Sequence, residues 1–555
     1  MGHGSKNRQN YSIRRVEIRM KLELNKLSIK QVEAWKKLDF ELPQFDCDKM
    51  SALTTENPTW VHFGAGNIFR AFIAPLQQTL LNSGEADTGI VAVEGYDYEI
   101  IDKIYTPFDN LSLLVTMNPD GSLDKKVVGS ISESLAVDYT REEDFKRLQA
   151  IFRKPSLNMV SFTITEKGYS LKNISDKDIA DGYKHPKSVI AKVASLMYER
   201  FKSGELPVAL VSMDNCSHNG EKLYIAINSI VEKWCNNGLV EKGFLEYINN
   251  PKKVSFPWSM IDKITPRPSE NVREKLNSYG FESTDIVVTK GNTYIAPFVN
   301  AEGPQYLVLE DSFPNGRMPL EKAGVFFTDR MTVERVEKMK VCTCLNPLHT
   351  ALAIFGCILG FNLIADEMKD PCLKKLVEKI GYEEGMPVVA DPRIFNAKDF
   401  IKEVIEVRLP NPYIPDTPQR IVSDTSQKIG IRFGETIKSY IKREDLDPDK
   451  LKYIPLAIAG WCRYLIGLDD NGMEMELSSD PLLATLKTYV RDINLSNTEK
   501  MGKKLKPILS NEEIFGLNLY DNKLGEKIEG YFNEMITGSG AVRLTLEKYV
   551  NCEEV

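Results

Sequence analysis

The segment Trp60–Glu94 constrains this chain more than any other. Trp60-Val-His-Phe63 is a short apolar run of strand character that meets Gly64-Ala-Gly66-Asn-Ile-Phe69-Arg70, and a helical pattern then runs to Leu81. A second apolar run, Gly89-Ile-Val-Ala-Val93, stops at Glu94. Strand, glycine turn, helix and strand in that order open a dinucleotide-binding unit. Gly64 and Gly66 let backbone approach a pyrophosphate at a helix N-terminus, and Phe69 and Arg70 complete the candidate cofactor-binding set on that turn. Phe69 stands where the full fingerprint has a third glycine, so a tight strand–helix turn with no ligand is the competing reading. Glu94 is placed to accept hydrogen bonds from a ribose diol. An acid there repels a ribose phosphate, which favours NAD over NADP; Asp97 is the alternative acid.

Further strands are expected at Ser112–Met117, Met159–Ile164, Val208–Ser212 and Asp285–Val288, with helices over Lys187–Lys202 and Gly220–Asn237. That alternation implies an α/β, Rossmann-like N-terminal domain with a mainly parallel sheet. After Thr328 helical periodicity dominates, broken by loops at Asp391–Phe395 and Pro410–Pro418, which reads as a mostly α-helical C-terminal domain. The division is therefore a lead-in at 1–50, a dinucleotide-binding domain at 51–325 and a helical substrate domain at 326–555. A chain of 555 residues is too long for one core, so several domains are expected on length as well.

The net charge of −7 with scattered basic residues lacks the basic stripe of a nucleic-acid binder. The longest apolar run, Ala351–Ala365, is shorter than a membrane span and is followed by Asp366 and Glu367, so it reads as a core helix. Nine cysteines without a C-x-x-C pair point to buried, reduced thiols and a cytoplasmic protein, with no metal centre. The basic stretch Lys6–Arg19 reads as a presequence or a dispensable leader.

Three motifs carry chemistry. Lys340-Val-Cys-Thr-Cys-Leu-Asn346-Pro-Leu-His349 places an amine, a carboxamide and an imidazole at the mouth of the apolar helix, with Asn346 and His349 on one face. Ser212-Met-Asp214-Asn215 follows a strand at its C-terminal end, where α/β sheets build their sites, and Asn215 is a carboxamide donor toward a developing oxyanion. Arg420 and Lys428 stand eight residues apart, about 80 degrees on a helix, as a clamp for the hydroxyls or the carboxylate of a polyhydroxy substrate. The bland readings of these motifs are a helix cap, turn chemistry and a solvated face.

Together these residues resemble the polyol-specific long-chain dehydrogenases, the mannitol dehydrogenase family. The landmarks are Gly64–Arg70, Thr165-Glu-Lys-Gly-Tyr169, Asp214-Asn215, Phe256-Pro257 with Met260-Ile-Asp262-Lys-Ile-Thr-Pro266, Asn346 with His349, and Asp416-Thr-Pro-Gln-Arg420 with Ser426-Gln-Lys428. The resemblance implies an NAD-dependent, metal-independent oxidoreductase with its site between a dinucleotide-binding and a helical domain. It implies Lys340 as general acid and base, Asn215 and Asn346 on the oxyanion, His349 beside them, and Asp262, Arg420 and Lys428 on substrate. The expected reaction is reduction of a ketouronate, fructuronate to mannonate ahead of tagaturonate, with fructose to mannitol as the nearest rival. A catalytically inactive nucleotide-binding protein is the alternative from another class. The partner is a small sugar acid or ketose, with no nucleic acid or membrane, and the oligomeric state is left open, monomers being common in the family. The family places its lysine five residues before the asparagine, whereas Lys340 stands six before Asn346. On a regular helix that shift turns the side chain by about 100 degrees, so an irregular turn through Cys342–Cys344 is needed to restore it. Lys338 is the fallback.

Overall fold

The computed structural model describes residues 21–495 and 501–550. The basic stretch Lys6–Arg19 lies outside the described residues. The apolar runs found in the sequence form the middle of a six-stranded sheet. Its strands are β1 (Trp60–Phe63), β2 (Ile90–Glu94), β3 (Ile131–Ala136), β4 (Met159–Phe162), β5 (Val208–Ser212) and β6 (Val254–Ser255). Their spatial order is β3-β2-β1-β4-β5-β6, and every pairing is parallel. This is the doubly wound order of dinucleotide-binding folds, with the crevice where the order reverses lying between β1 and β4. Every residue of β1, β2, β4 and β5 is buried, as a parallel sheet covered by helices on both faces requires.

The expected strand Ser112–Met117 forms but joins a different, four-stranded sheet between Leu123–Val128 and Phe298–Ala301. Of Asp285–Val288 only Val287–Val288 is extended, in a two-residue ladder with Tyr294–Ile295. The lead-in is not a separate extension. From Leu22 onward it packs into the body, with Leu22, Leu24, Trp35 and Phe40 in one core with Phe281 and Phe298. Phe40–Glu41 also pairs in parallel with Lys125–Lys126.

A short strand β7 (Ser259–Asp262) leads out of the dinucleotide-binding part. The helical part then opens with α1 (Arg330–Met339), which passes through a wide turn at Lys340–Cys344 into α2 (Asn346–Leu359). The 30-residue run Arg330–Leu359 is long and apolar enough to cross a membrane, but its apolar window is 78% buried inside the protein. Packed against α2 is α3 (Tyr453–Tyr464), which is buried on all sides. A Cβ on Gly460 would stand 2.6 Å from the Phe355 ring, so the absence of a side chain there sets how closely the two helices pack. A helix apolar all round belongs at the centre of a core, and these two form it. Seven of the described cysteines are free thiols.

Candidate active site

The glycine turn sits at the C-terminal end of β1, in the crevice. Gly64 has φ +106°, and a Cβ there would stand 2.2 Å from the carbonyl oxygen of Thr163 after β4. Only glycine fits both the left-handed backbone and this close approach. Gly66 is different: a Cβ there would meet nothing within 4 Å, so the space in front of the helix N-terminus is open. Gly64→Ala is expected to cost about 1–3 kcal/mol in backbone strain, with displacement of the Thr163 carbonyl added to it. A lowered unfolding temperature together with weakened dinucleotide binding in a titration checks this; an unchanged affinity would contradict it.

Phe69 and Arg70 do not face that space. Phe69 is buried, its ring stacked on His62 with centroids 4.3 Å apart, and it fills the place where a third glycine would let helix and strand close up. Arg70 is buried too, donating to the Ala296 carbonyl at 2.7 Å and to Asn67 Oδ1 at 3.0 Å. It ties the turn to the four-stranded sheet. Glu94 ends β2 in the crevice, where Oε1 accepts from the N–H groups of Gly95, Tyr96 and Asp97 and Oε2 accepts from Ala65 N–H at 3.1 Å. The carboxylate ties the two crevice turns together, and Oε2 retains one acceptor lone pair. Burial pushes its carboxyl up against the pull of those four N–H groups. Asp97 is held by Thr289 Oγ1.

Between this crevice and the helical part lies a cavity of about 960 Å³. Its wall brings together Asn215, Asp262, Lys340, Asn346, His349 and Arg420. The one-residue excess between Lys340 and Asn346 is absorbed as expected. Residues 340–344 form a π turn closed by the Leu345 N–H on the Lys340 carbonyl at 3.1 Å. An i→i+5 turn holds one residue more than an α turn, and such turns recur at functional sites. Lys338 instead pairs with Glu334 in an exposed position, away from the cavity.

The Lys340 ammonium is buried and has three acceptors: Ile261 O at 2.9 Å, Asn215 Oδ1 at 3.1 Å and Asp262 Oδ1 at 3.2 Å. That number matches its three donors. Because Asn215 offers its oxygen to the lysine, its NH₂ end is the one left over, and the residue is exposed to the cavity. Asn346 starts α2 and makes no side-chain hydrogen bond among the described residues. His349 lies one turn on, with Nε2 3.0 Å from Asp416 Oδ2 but off the line of a hydrogen bond. Burial, with the nearby Arg432, Arg420 and Arg408 charges, pushes the His349 imidazole down to about 3, so it is neutral at ordinary pH.

Asp262 does not face the cavity alone. Arg408 takes both its oxygens, NH1 to Oδ2 at 2.5 Å and NH2 to Oδ1 at 3.1 Å, and also clasps Glu302 at 2.8 and 3.1 Å. Lys340, Asp262, Arg408 and Glu302 thus form a buried, charge-alternating chain, and each has a side chain no more than 6% exposed. Lys340 and Arg408 hold the Asp262 carboxyl down to about 2 against its desolvation. The lysine's immediate charged neighbour is therefore an acid. Arg408 and Glu302 were not legible in the sequence; Arg408 ends an unremarked Val-Ile-Glu-Val-Arg run that folds as another π turn.

The clamp expected from Arg420 and Lys428 does not form. Asp424 adopts φ +53° and splits the segment into two helices, Pro418–Val422 and Thr425–Ile429, so the 80-degree separation does not apply. Arg420 pairs with Asp416, and Lys428 Nζ donates to the Ser423 carbonyl at 2.7 Å and lies off the cavity wall. Asp214 is buried and holds the turn after β4, accepting from Ile164 N at 3.0 Å, Thr165 N at 2.8 Å and the Tyr169 hydroxyl. Among the described residues no group of three or more His, Cys, Asp or Glu side chains is placed to hold a metal ion.

Residues 58–322 match the mannitol dehydrogenase Rossmann domain, and residues 332–536 match the mannitol dehydrogenase C-terminal domain. The chain belongs to the mannitol dehydrogenase family. Within that family, it is 56% identical to the D-mannonate oxidoreductase of Thermotoga maritima over 542 residues, covering 96% of this chain and 100% of that one. It is 28% identical to the mannitol 2-dehydrogenase of Emericella nidulans, over 88% of this chain and 93% of the relative. Among solved structures, the Pseudomonas fluorescens mannitol 2-dehydrogenase ternary complex with NAD and D-mannitol superposes with a TM-score of 0.69 at 25% identity, over 96% of this chain and 100% of that one. Family membership accounts for the two-part architecture: a dinucleotide crevice in one part, and a cavity against the other that meets it through β7 and Asn215.

Proposed function

We propose that this chain is an NAD-dependent D-mannonate oxidoreductase, interconverting D-fructuronate and D-mannonate. The observation that carries the reading is the 56% identity along the whole length of the Thermotoga maritima enzyme of that name. The cofactor fits the residues present: Gly64 and the open space at Gly66 would take the pyrophosphate, and the free lone pair of Glu94 Oε2 a ribose hydroxyl. When bound, NADH supplies hydride to the carbonyl carbon.

The chain's own residues handle the oxygen and the proton. Negative charge grows on the carbonyl oxygen, and the NH₂ ends of Asn215 and Asn346 donate to it. Lys340 delivers the proton, which requires one of its three N–H bonds to leave its present acceptor. Asn215 Oδ1 is the acceptor released at least cost, because Asn215 is exposed while the Ile261 carbonyl and Asp262 are buried. Asp262 keeps the lysine aimed in either direction of the reaction, and the neutral His349 orients a substrate hydroxyl.

Interconversion of fructose and mannitol is the second reading, supported by the mannitol 2-dehydrogenase relatives. Fructuronate, tagaturonate and fructose, offered in turn to the purified protein with NADH, separate the two. Dominant NADH oxidation with fructuronate is the expected result. Dominant turnover of fructose would overturn the sugar-acid reading and leave the proton path intact.

A further inference from the structure

Five cationic side chains reach the cavity wall: Lys263, Arg267, Lys340, Arg408 and Arg420. Three of them are answered by carboxylates, namely Lys340 and Arg408 by Asp262, Arg408 also by Glu302, and Arg420 by Asp416. Lys263 and Arg267 have no carboxylate within ion-pair distance among the described residues. Lys263 Nζ donates to the neutral Gln305 Oε1 at 2.8 Å, and the Arg267 guanidinium lies over the Tyr294 ring, 4.5 Å from its centroid. Both belong to the segment that directly follows Asp262, and both line the cavity along with the lysine–aspartate pair.

Lys263 is also partly buried, with Nζ 5.6 Å from the Phe72 ring centroid, and burial pushes its amine down to about 8. Glu302 acts on it only across space, without an ion pair, and is already clasped by Arg408, so a partly desolvated cation is left whose cost to the fold an anionic ligand removes. The wall therefore carries an excess of positive charge located at these two residues. The pair expected to meet a carboxylate is already spent, since Arg420 is neutralised by Asp416 and Lys428 is off the wall.

We infer that Lys263 and Arg267 form the anion subsite of the cavity and hold the carboxylate of the sugar acid, at the end of the molecule remote from the carbonyl being reduced. This rests on the ketouronate reading above. The cofactor's pyrophosphate is the other source of the same anionic chemistry, because Phe72 lies in the turn of helix that follows the glycine loop.

The test compares Lys263→Met, Arg267→Gln and the double variant with wild type, measuring KM for fructuronate, kcat, and the Kd of NADH by fluorescence. Two lost charge-assisted contacts predict a rise in KM of about 10- to 100-fold for the double variant. NADH affinity should be retained, which also reports that the variants are folded, and Lys263→Arg should keep most of the wild-type KM. An NADH Kd that rises by the same factor would assign the two cations to the pyrophosphate and overturn the subsite. Unchanged KM with wild-type turnover intact would overturn the subsite alone. Absence of wild-type turnover on any ketouronate would overturn both it and the functional reading.

Discussion

Lys340→Ala is expected to lower turnover by about 100- to 10,000-fold while leaving NADH affinity close to that of the wild type. The lysine touches no element of the dinucleotide crevice described above; its contacts are Asn215, Ile261 and Asp262. The fold should survive its removal, because Asp262 keeps both oxygens on Arg408. Lys340→Arg separates proton transfer from simple charge. A guanidinium restores a cation beside Asp262 but does not give up its proton in the accessible pH range, so this variant should be nearly as inactive as the alanine one. If Lys340→Arg instead recovered most of the activity, the residue would act by charge alone, and another group would move the proton. Near-normal turnover in Lys340→Ala would remove it from the chemistry altogether.

The central strands β1, β2, β4 and β5 were readable because each is buried on both faces and so is written as a mainly apolar run, the internal exceptions His62 and Ser161 satisfying each other across β1 and β4. The strands that close the sheet at its two edges were not. Ile131-Ser-Glu-Ser-Leu-Ala is partly open at Glu133 and Ser134 and mixes Ser and Glu into its pattern, and Val254–Ser255 is only two residues long. An edge strand needs only half the apolar signal, so periodicity alone does not find it. The same limit governs the site. Asn215, Lys340, Asn346 and His349 follow strand ends or open a helix, and such positions carry local signals that the sequence exposes. An irregular turn after Lys340 could be inferred only because a resemblance supplied a spacing to violate, and its π form came from the structure. Arg408 meets Asp262 from 146 residues away, and Glu302, 40 residues from Asp262, joins it only through that arginine, by contacts that no local pattern encodes. The reading of Arg420 and Lys428 failed at one residue, since a left-handed Asp424 breaks the helix on which their angle was calculated. Arg70 was misplaced for a related reason. A cation beside a phosphate-binding turn suggests phosphate, but its side chain points back into the fold and satisfies a carbonyl from a distant segment.

Arg408→Met is expected to destabilise the protein by about 3–5 kcal/mol, the range for removing one partner from a buried ion pair. The substitution keeps an unbranched apolar stem and deletes only the cation shared by Asp262 and Glu302. Two buried carboxylates then compete for what remains: Lys340 for Asp262, and the Ile264 N–H at 2.7 Å for Glu302. The pH dependence follows from the direction of each shift. Asp262 is held down to about 2 in the folded protein, so its contribution is fully present above its unfolded value near 3.9 and is lost as pH falls toward 2. Glu302 is already pushed up by burial, with Arg408 as the largest opposing influence, so deleting that cation pushes it higher still. A raised carboxyl penalises the fold at pH above its unfolded value and ceases to do so once protonated in both states. The deficit of Arg408→Met relative to wild type should therefore be larger at pH 8 than at pH 5, as measured by urea unfolding at the two pH values. Arg408→Lys should fall between them, since one ammonium supplies the charge but not the forked contact with two carboxylates. A deficit independent of pH would mean that lost packing, not the uncompensated acids, dominates the cost. Turnover reports the other end of the same chain of charges. With Arg408 gone, Asp262 has Lys340 as its only cation, the ammonium is held more firmly, and proton delivery should slow even in the fraction of molecules that remain folded.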